Sequence, residues 1–238
     1  MIRKVCKLAM VLFFCIPVLL TSDTAIFVDL GFSPDGKYFM YGQYWTDRNT
    51  SLSKAELNIV DVERNNFVSN GRRSFASEHR LVFNQNGSGA LFHLIGESAD
   101  IARRYNIDSS LQGNVLFLSM AAKPTSPPKT IEFKNFIYDI QYKASLFSQV
   151  EGSEGSIRSS FYIDLERTTS NGNIKLYHIG TPRLMRPRVT EYNFRKVITA
   201  PSNNAMIFII EMFILNPDDK DFLGVRYMVE AVRLEKGE

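Results

Sequence analysis

The chain has 238 residues, with 28 Lys plus Arg against 25 Asp plus Glu, and only two cysteines. Its formal charge of +3 is accounted for by Arg3, Lys4 and Lys7, so the remainder is neutral and gives no electrostatic reason to expect nucleic acid or an anionic membrane as a partner. Cys6 and Cys15 both lie near the N-terminus, which leaves the rest of the chain without disulfides, thiolate metal sites or a cysteine nucleophile.

In chain order, the first element has the three parts of a secretory signal. Arg3, Lys4 and Lys7 precede residues 8–20, thirteen residues without a charge. A permanent helical span takes about 20 apolar residues. Thirteen, with Pro17 near the end, fit the apolar segment of a cleavable signal. Thr21, Ser22, Thr24 and Ala25 supply small residues, placing the cut after Ser22 or Ala25. This divides the chain into a signal peptide (1–22) and a single β-rich secreted domain (23–238), periplasmic or outside the cell, with no stable membrane span after cleavage. An uncleaved anchor is the alternative; a lipid anchor at Cys15 is disfavoured by bulky Phe13 and Phe14 before it. A cysteine-free domain of this length can build its own core.

The remainder reads mainly as strands. Segments near 26–32, 37–45 and 56–62 are rich in aromatic and β-branched residues. Between residues 88 and 105 the pattern changes: Leu91, Leu94, Ile95, Ala99, Ala102 and Tyr105 recur at three- and four-residue steps, the stripe of one amphipathic helix. Asn86-Gly87-Ser88 marks its start and Asn106 its stop. A strand near 115–120 leads to residues 123–129, whose three prolines cannot pair in a sheet.

Alternation then predicts strands over 136–144 and 161–166, separated by a flexible acidic loop at 151–156. Asn171-Gly172 predicts a tight hairpin into 174–179, because both residues tolerate positive φ. After a strand near 192–198, residues 206–215 are apolar except Glu211, the pattern of a central strand covered on both faces. A last strand falls near 225–234. The expected fold is mainly β, with antiparallel sheets in a propeller-like or sandwich-like arrangement and one α-helix near 88–105.

The most specific local signal is Phe32-Ser33-Pro34-Asp35-Gly36-Lys37-Tyr38-Phe39, a turn followed at once by an aromatic strand. Pro34 pre-sets φ for the first corner and Gly36 permits a left-handed backbone. Thr199-Ala200-Pro201-Ser202-Asn203-Asn204 repeats it more weakly before the apolar strand. The unit resembles a blade element of the propeller repeats in periplasmic translocation-associated proteins and prolyl peptidases. Two copies do not make a propeller, which has at least about four blades. Together with Ser160-Phe161-Tyr162-Ile163 and Arg226-Tyr227-Met228-Val229-Glu230, the first motif with Gly31 before it resembles a family of bacterial predicted secreted proteins of unknown function, the DUF2259 type. The resemblance implies export and a β-rich fold, and no reaction. It also implies acidic residues soon after the first aromatic strand, where this chain carries Gly42-Gln43.

No local pattern assigns a catalytic, cofactor-binding or metal-binding residue. His79, His93 and His178 are not at metal-ligand spacing, and the nucleophile-elbow, HExxH, P-loop and dinucleotide patterns are all missing. Asn216-Pro217-Asp218-Asp219-Lys220-Asp221 reads as a solvated loop before a calcium site, since Lys220 interrupts it. Arg183, Arg186, Arg188, Arg195 and Lys196 read as a strand flank balanced by Glu191. Trp45 with Tyr41 and Tyr44 reads as packing before a sugar-stacking platform. The leading functional reading is a non-catalytic binding or structural module of the cell envelope, for protein or glycan. The alternative is an envelope hydrolase whose carboxylates, Glu132 or Glu191 with Glu211, are paired only by the fold.

Overall fold

A computed structural model of the protein describes residues 23–82, 85–120, 128–153, 156–216 and 223–235. The signal segment, most of the proline-rich connection, the middle of the 151–156 loop and all but Asn216 of the acidic loop lie outside the described residues.

Among the described residues, thirteen strands form three antiparallel sheets. The first is an up-and-down meander of β1 (Ile26–Phe32), β2 (Tyr38–Thr46), β3 (Leu52–Asp61) and β4 (Asn66–Arg80). The second joins β6 (Thr130–Asn135), β7 (Ile140–Glu151) and β8 (Arg158–Thr168) in order, and both β9 (Ile174–Ile179) and the short β10 (Arg186–Pro187) pair with β8. The third runs β13 (Leu223–Arg233), β12 (Ala205–Leu215), β11 (Val189–Thr199) and β5 (Asn114–Leu118).

The third sheet is the middle layer, and β12 explains why its sequence had to be apolar throughout. Ala205, Ile207 and Ile209 enter the core shared with the first sheet, where Phe32, Phe39 and Tyr41 face them. Met206, Phe208 and Ile210 enter the core shared with the second, against Phe161, Ile163 and Leu165. Both faces are thus buried, as the unbroken run requires. The result is a sandwich-like stack of three sheets, one fewer than a four-bladed ring.

The expected helix is present but broken once, into α1 (Ser88–Glu97) and α2 (Ala99–Arg104). Ser98 divides them, its N–H shared between the carbonyls of Leu94 and Ile95. Asn106 stops α2 with a left-handed cap (φ 51°): its N–H reaches the Arg103 carbonyl, and that of Ile107 reaches Ala102. The helices lie on the first sheet, where Leu91 and Leu94 meet Met40, Leu57 and Ile59. Gly42 makes the seat; a Cβ there would fall 2.5 Å from Leu91 Cδ1.

The two proline turns share one geometry. Gly36 N–H bonds to Ser33 O at 2.8 Å and Ser33 N–H to Tyr38 O; Asn203 N–H bonds to Ala200 O at 2.8 Å and Ala200 N–H to Ala205 O. Gly36 and Asn203 both have positive φ, 64° and 52°. The turns also touch, since Asn204 Nδ2 donates to Asp35 O at 3.0 Å.

Two expectations need correction. Residues 136–139 are a turn, not the start of a strand: Asp139 is left-handed (φ 50°) and Asn135 Oδ1 accepts from Ile137 N–H, which folds the alternating run back between β6 and β7. In the Asn171-Gly172 hairpin only Gly172 has positive φ, 83°, with its N–H on Thr169 O, so the loop is wider than a two-residue turn. β4, β6 and the short β10 lie outside the expected strands.

Candidate functional site

The residues singled out from the sequence serve mainly to hold the layers together. Tyr41 is buried between the first and third sheets, and Tyr44 packs toward the helix side. Trp45 lies under the Arg226 guanidinium, 3.9 Å from the ring centroid. The three aromatics therefore present no common platform. His93 pairs with Glu97 one turn on and packs its ring on Phe75, while His79 sits at the exposed end of β4.

One residue of the basic run, Arg186, is drawn inward, while Arg183 and Arg188 stay exposed. Arg186 lies 3.6 Å from Glu230 and over the Phe161 ring, and Asn65 also donates to Glu230. Asn65 belongs to the first sheet's β3–β4 turn, Glu230 to the third sheet and Arg186 to the second, so this network ties all three layers. Burial raises the Glu230 carboxyl above its ordinary range, against the pull of Asn65 and Arg186.

Glu132, Glu191 and Glu211 do not share a cleft. Glu132 pairs with Lys143 on the outer side of the second sheet, and Glu191 lies 3.6 Å from Lys129. Glu211, diagonal to Glu191 across β11 and β12, lies 3.7 Å from Arg195 and accepts from Tyr227 Oη. Burial raises Glu211, with Arg195 and Tyr227 opposing it. Among the described residues no three His, Cys, Asp or Glu side chains are grouped to hold a metal ion.

Gln43, at the position where acidic residues were expected, is a buried clamp. Its Oε1 accepts from Tyr227 N–H at 2.8 Å and its Nε2 donates to Tyr227 O at 3.0 Å and to Glu56. It thus satisfies both backbone groups of one residue on the edge strand β13, where a neighbouring strand would otherwise bond. Beside this seam, a cleft of about 450 Å³ contains Asp23, Asp47, Lys54, Glu56 and Arg226. Four of its charges meet in two pairs: Arg226 with Asp23 at 3.0 Å, Lys54 with Asp47. Burial raises Asp47, but hydrogen bonds from Lys54 and Thr50 outweigh it and hold the carboxyl at about 2.

The open surface is the outer face of the second sheet. Register places Thr130, Ser145, Asp164 and His178 on one rung and Glu132, Lys143, Glu166 and Leu176 on the next. Alternate residues of the same strands fill the core with the third sheet, so this face turns outward. It carries a row of rings, Phe147 stacked on Tyr162 at 5.0 Å and Tyr162 against His178 at 4.7 Å, with His178 Nδ1 2.7 Å from Asp164. Leu176 (73% exposed) and Ile174 stand beside the row. At the β6–β7 turn, Phe136 and Ile137 are 84% and 79% exposed, with Tyr138 next to them.

A family model described as Predicted secreted protein (DUF2259) matches residues 40–233, most of the strands above. The chain belongs to this family. No curated protein matches it. Two residues of the motif that carried the resemblance, Arg226 and Glu230, are the two clamped charges of β13. Their role in this chain is to fasten the layers. No helix among the described residues is long and apolar enough to cross a membrane.

Proposed function

We propose that the chain is exported behind residues 1–22, and that residues 23–238 act in the cell envelope or beyond it as a non-catalytic binding module for a protein partner. The observation that carries this reading is the share of exposed apolar side chains on one sheet: Phe136, Ile137, Tyr138, Phe147, Ile174 and Leu176 belong to β6–β9 and their turns, with Ile26, Phe92, Val115 and Met120 exposed elsewhere. Exposed apolar side chains set among polar groups are what protein interfaces use. Here the polar groups are the pairs Glu132–Lys143 and Asp164–His178, which stand on the rungs between the apolar residues.

A protein suits the face better than a glycan. Sugars stack on open ring faces, and here Phe147 and Tyr162 stack on each other with planes 16° apart, leaving mainly edges outward. The hydrolase reading is less favoured, because each candidate carboxylate already rests on its own cation. The experiment is affinity capture of the chain from its native envelope fraction, beside Leu176→Asp and Phe147→Ser variants. A discrete partner retained by the parent and lost by both folded variants supports the reading. A partner retained equally by all three places the interface elsewhere.

A further inference from the structure

On the inner side of the second sheet, away from the face just described, one residue breaks the core pattern. The inward stripe of β8, Phe161, Ile163 and Leu165, continues into Arg167. Arg167 is 6% exposed, yet it forms no ion pair among the described residues. Its Nη1 donates a long 3.3 Å bond to the Glu235 carbonyl, and its buried Nε–H has no acceptor. Tyr142 stands opposite it on β7, only 2% exposed, and Tyr177 lies diagonally on β9. Both hydroxyls are buried without a partner; of the four such atoms among the described residues, three are in this cluster. Burial raises the Tyr142 hydroxyl, Arg167 lowers it and Tyr177 raises it further, so the three heads act on one another.

A buried guanidinium without an anion is costly, and folded proteins seldom leave neighbouring donors empty as well. Arg167 can only donate and each hydroxyl can donate as well as accept, so one acceptor carrying a negative charge would satisfy all three. Of the three, Tyr142 also lines a groove of about 780 Å³, with Leu116, Phe117, Phe133 and Phe136 on its apolar side and Glu132, Lys134, Lys143 and Glu166 on its polar side. That volume is in the range of small-molecule sites, and its aromatic wall suits an apolar chain. We propose that Arg167, Tyr142 and Tyr177 bind the carboxylate of a small amphipathic acid whose apolar chain lies along Phe117 and Phe133.

The test uses the purified protein with sodium octanoate, sodium acetate and sodium chloride as probes, followed by calorimetry and thermal unfolding. Octanoate is expected to bind saturably and at least about tenfold more tightly than acetate, the added methylenes being buried. Arg167→Leu should weaken octanoate by about tenfold or more, through loss of a charge-assisted bond. Without ligand the same variant should unfold at a higher temperature than the parent, because it replaces an uncompensated buried charge with a side chain that fits the stripe. If Arg167→Leu fails to fold, the double variant Tyr142→Phe, Tyr177→Phe takes its place and should weaken octanoate severalfold. Three results would each overturn the proposal: no saturable octanoate binding by the parent, equal stabilisation by chloride, or octanoate affinity unchanged in the variants.

Discussion

The first and second sheets are the two outer layers on the same central sheet, yet they meet solvent in opposite ways. The first is sealed by α1 and α2, so Met40, Leu57 and Ile59 on its far side become a second core. The second has no such cover among the described residues, and its far side carries paired charges, a row of stacked rings and exposed Leu176. A protein that covers one outer sheet and leaves apolar groups bare on the other has a physical reason to differ there. On the sealed side the apolar residues pay for folding, whereas on the open side they contribute little until something covers them.

The contrast is easiest to break on the sealed side. Leu94→Ala, at the helix–sheet contact, should cost about 3 kcal/mol in chemical denaturation, from lost burial and the cavity left behind. Gln43→Ala should cost about 2 kcal/mol, since it strands the buried N–H and C=O of Tyr227 at the seam between the first and third sheets. Asp47→Ala at the same seam should cost about 1 kcal/mol near neutrality. Its carboxyl is held at about 2, below the ordinary 3.8, so that contribution is present above the ordinary value and lost as pH falls through the folded one. Parent and variant should therefore converge near pH 2.

Glu230 should show the opposite sign. Burial lifts its carboxyl, so the folded chain takes up this proton before the unfolded chain does. Its contribution grows as pH falls through the folded value toward the ordinary 4.5, and is absent well above it. Subtracting the stability–pH curve of Glu230→Gln from that of the parent should isolate that rise. The smallest effect is expected on the open face. Leu176→Ala should change stability by less than about 0.5 kcal/mol; a loss comparable to that of Leu94→Ala would mean the face is core after all.

How much of this could be read in advance depended on how many constraints each segment answered to. β12 was legible because burial on both faces leaves no polar position until Glu211. The helix was legible from its stripe, and its end from Asn106. β4 was not, because a solvated edge strand holds only Phe67-Val68 and Phe75-Ala76 among polar residues and gives no alternation to count. The run from Phe136 misled because exposed turn residues happened to continue the alternation of β7, and nothing nearby signals a left-handed Asp139.

The candidate surface was less visible still. Which face of β7 and β8 turns outward depends on the third sheet arriving to cover the other, and that pairing is set by residues far along the chain. Phe147 and Tyr162 meet across a strand pair whose register no local motif announces. Arg167 did leave a signal: the inward alternation of Phe161, Ile163 and Leu165 runs straight into it, and a charge at the next inward position marks a site.

The most direct measurement is photo-crosslinking in the producing cells, with a benzophenone side chain placed at position 176 on the open face and, as control, at position 74 on β4. The account predicts a discrete adduct from position 176, diminished by Phe147→Ser, and none from position 74. An adduct from position 74 with none from position 176 would contradict it, placing the working surface on the first sheet.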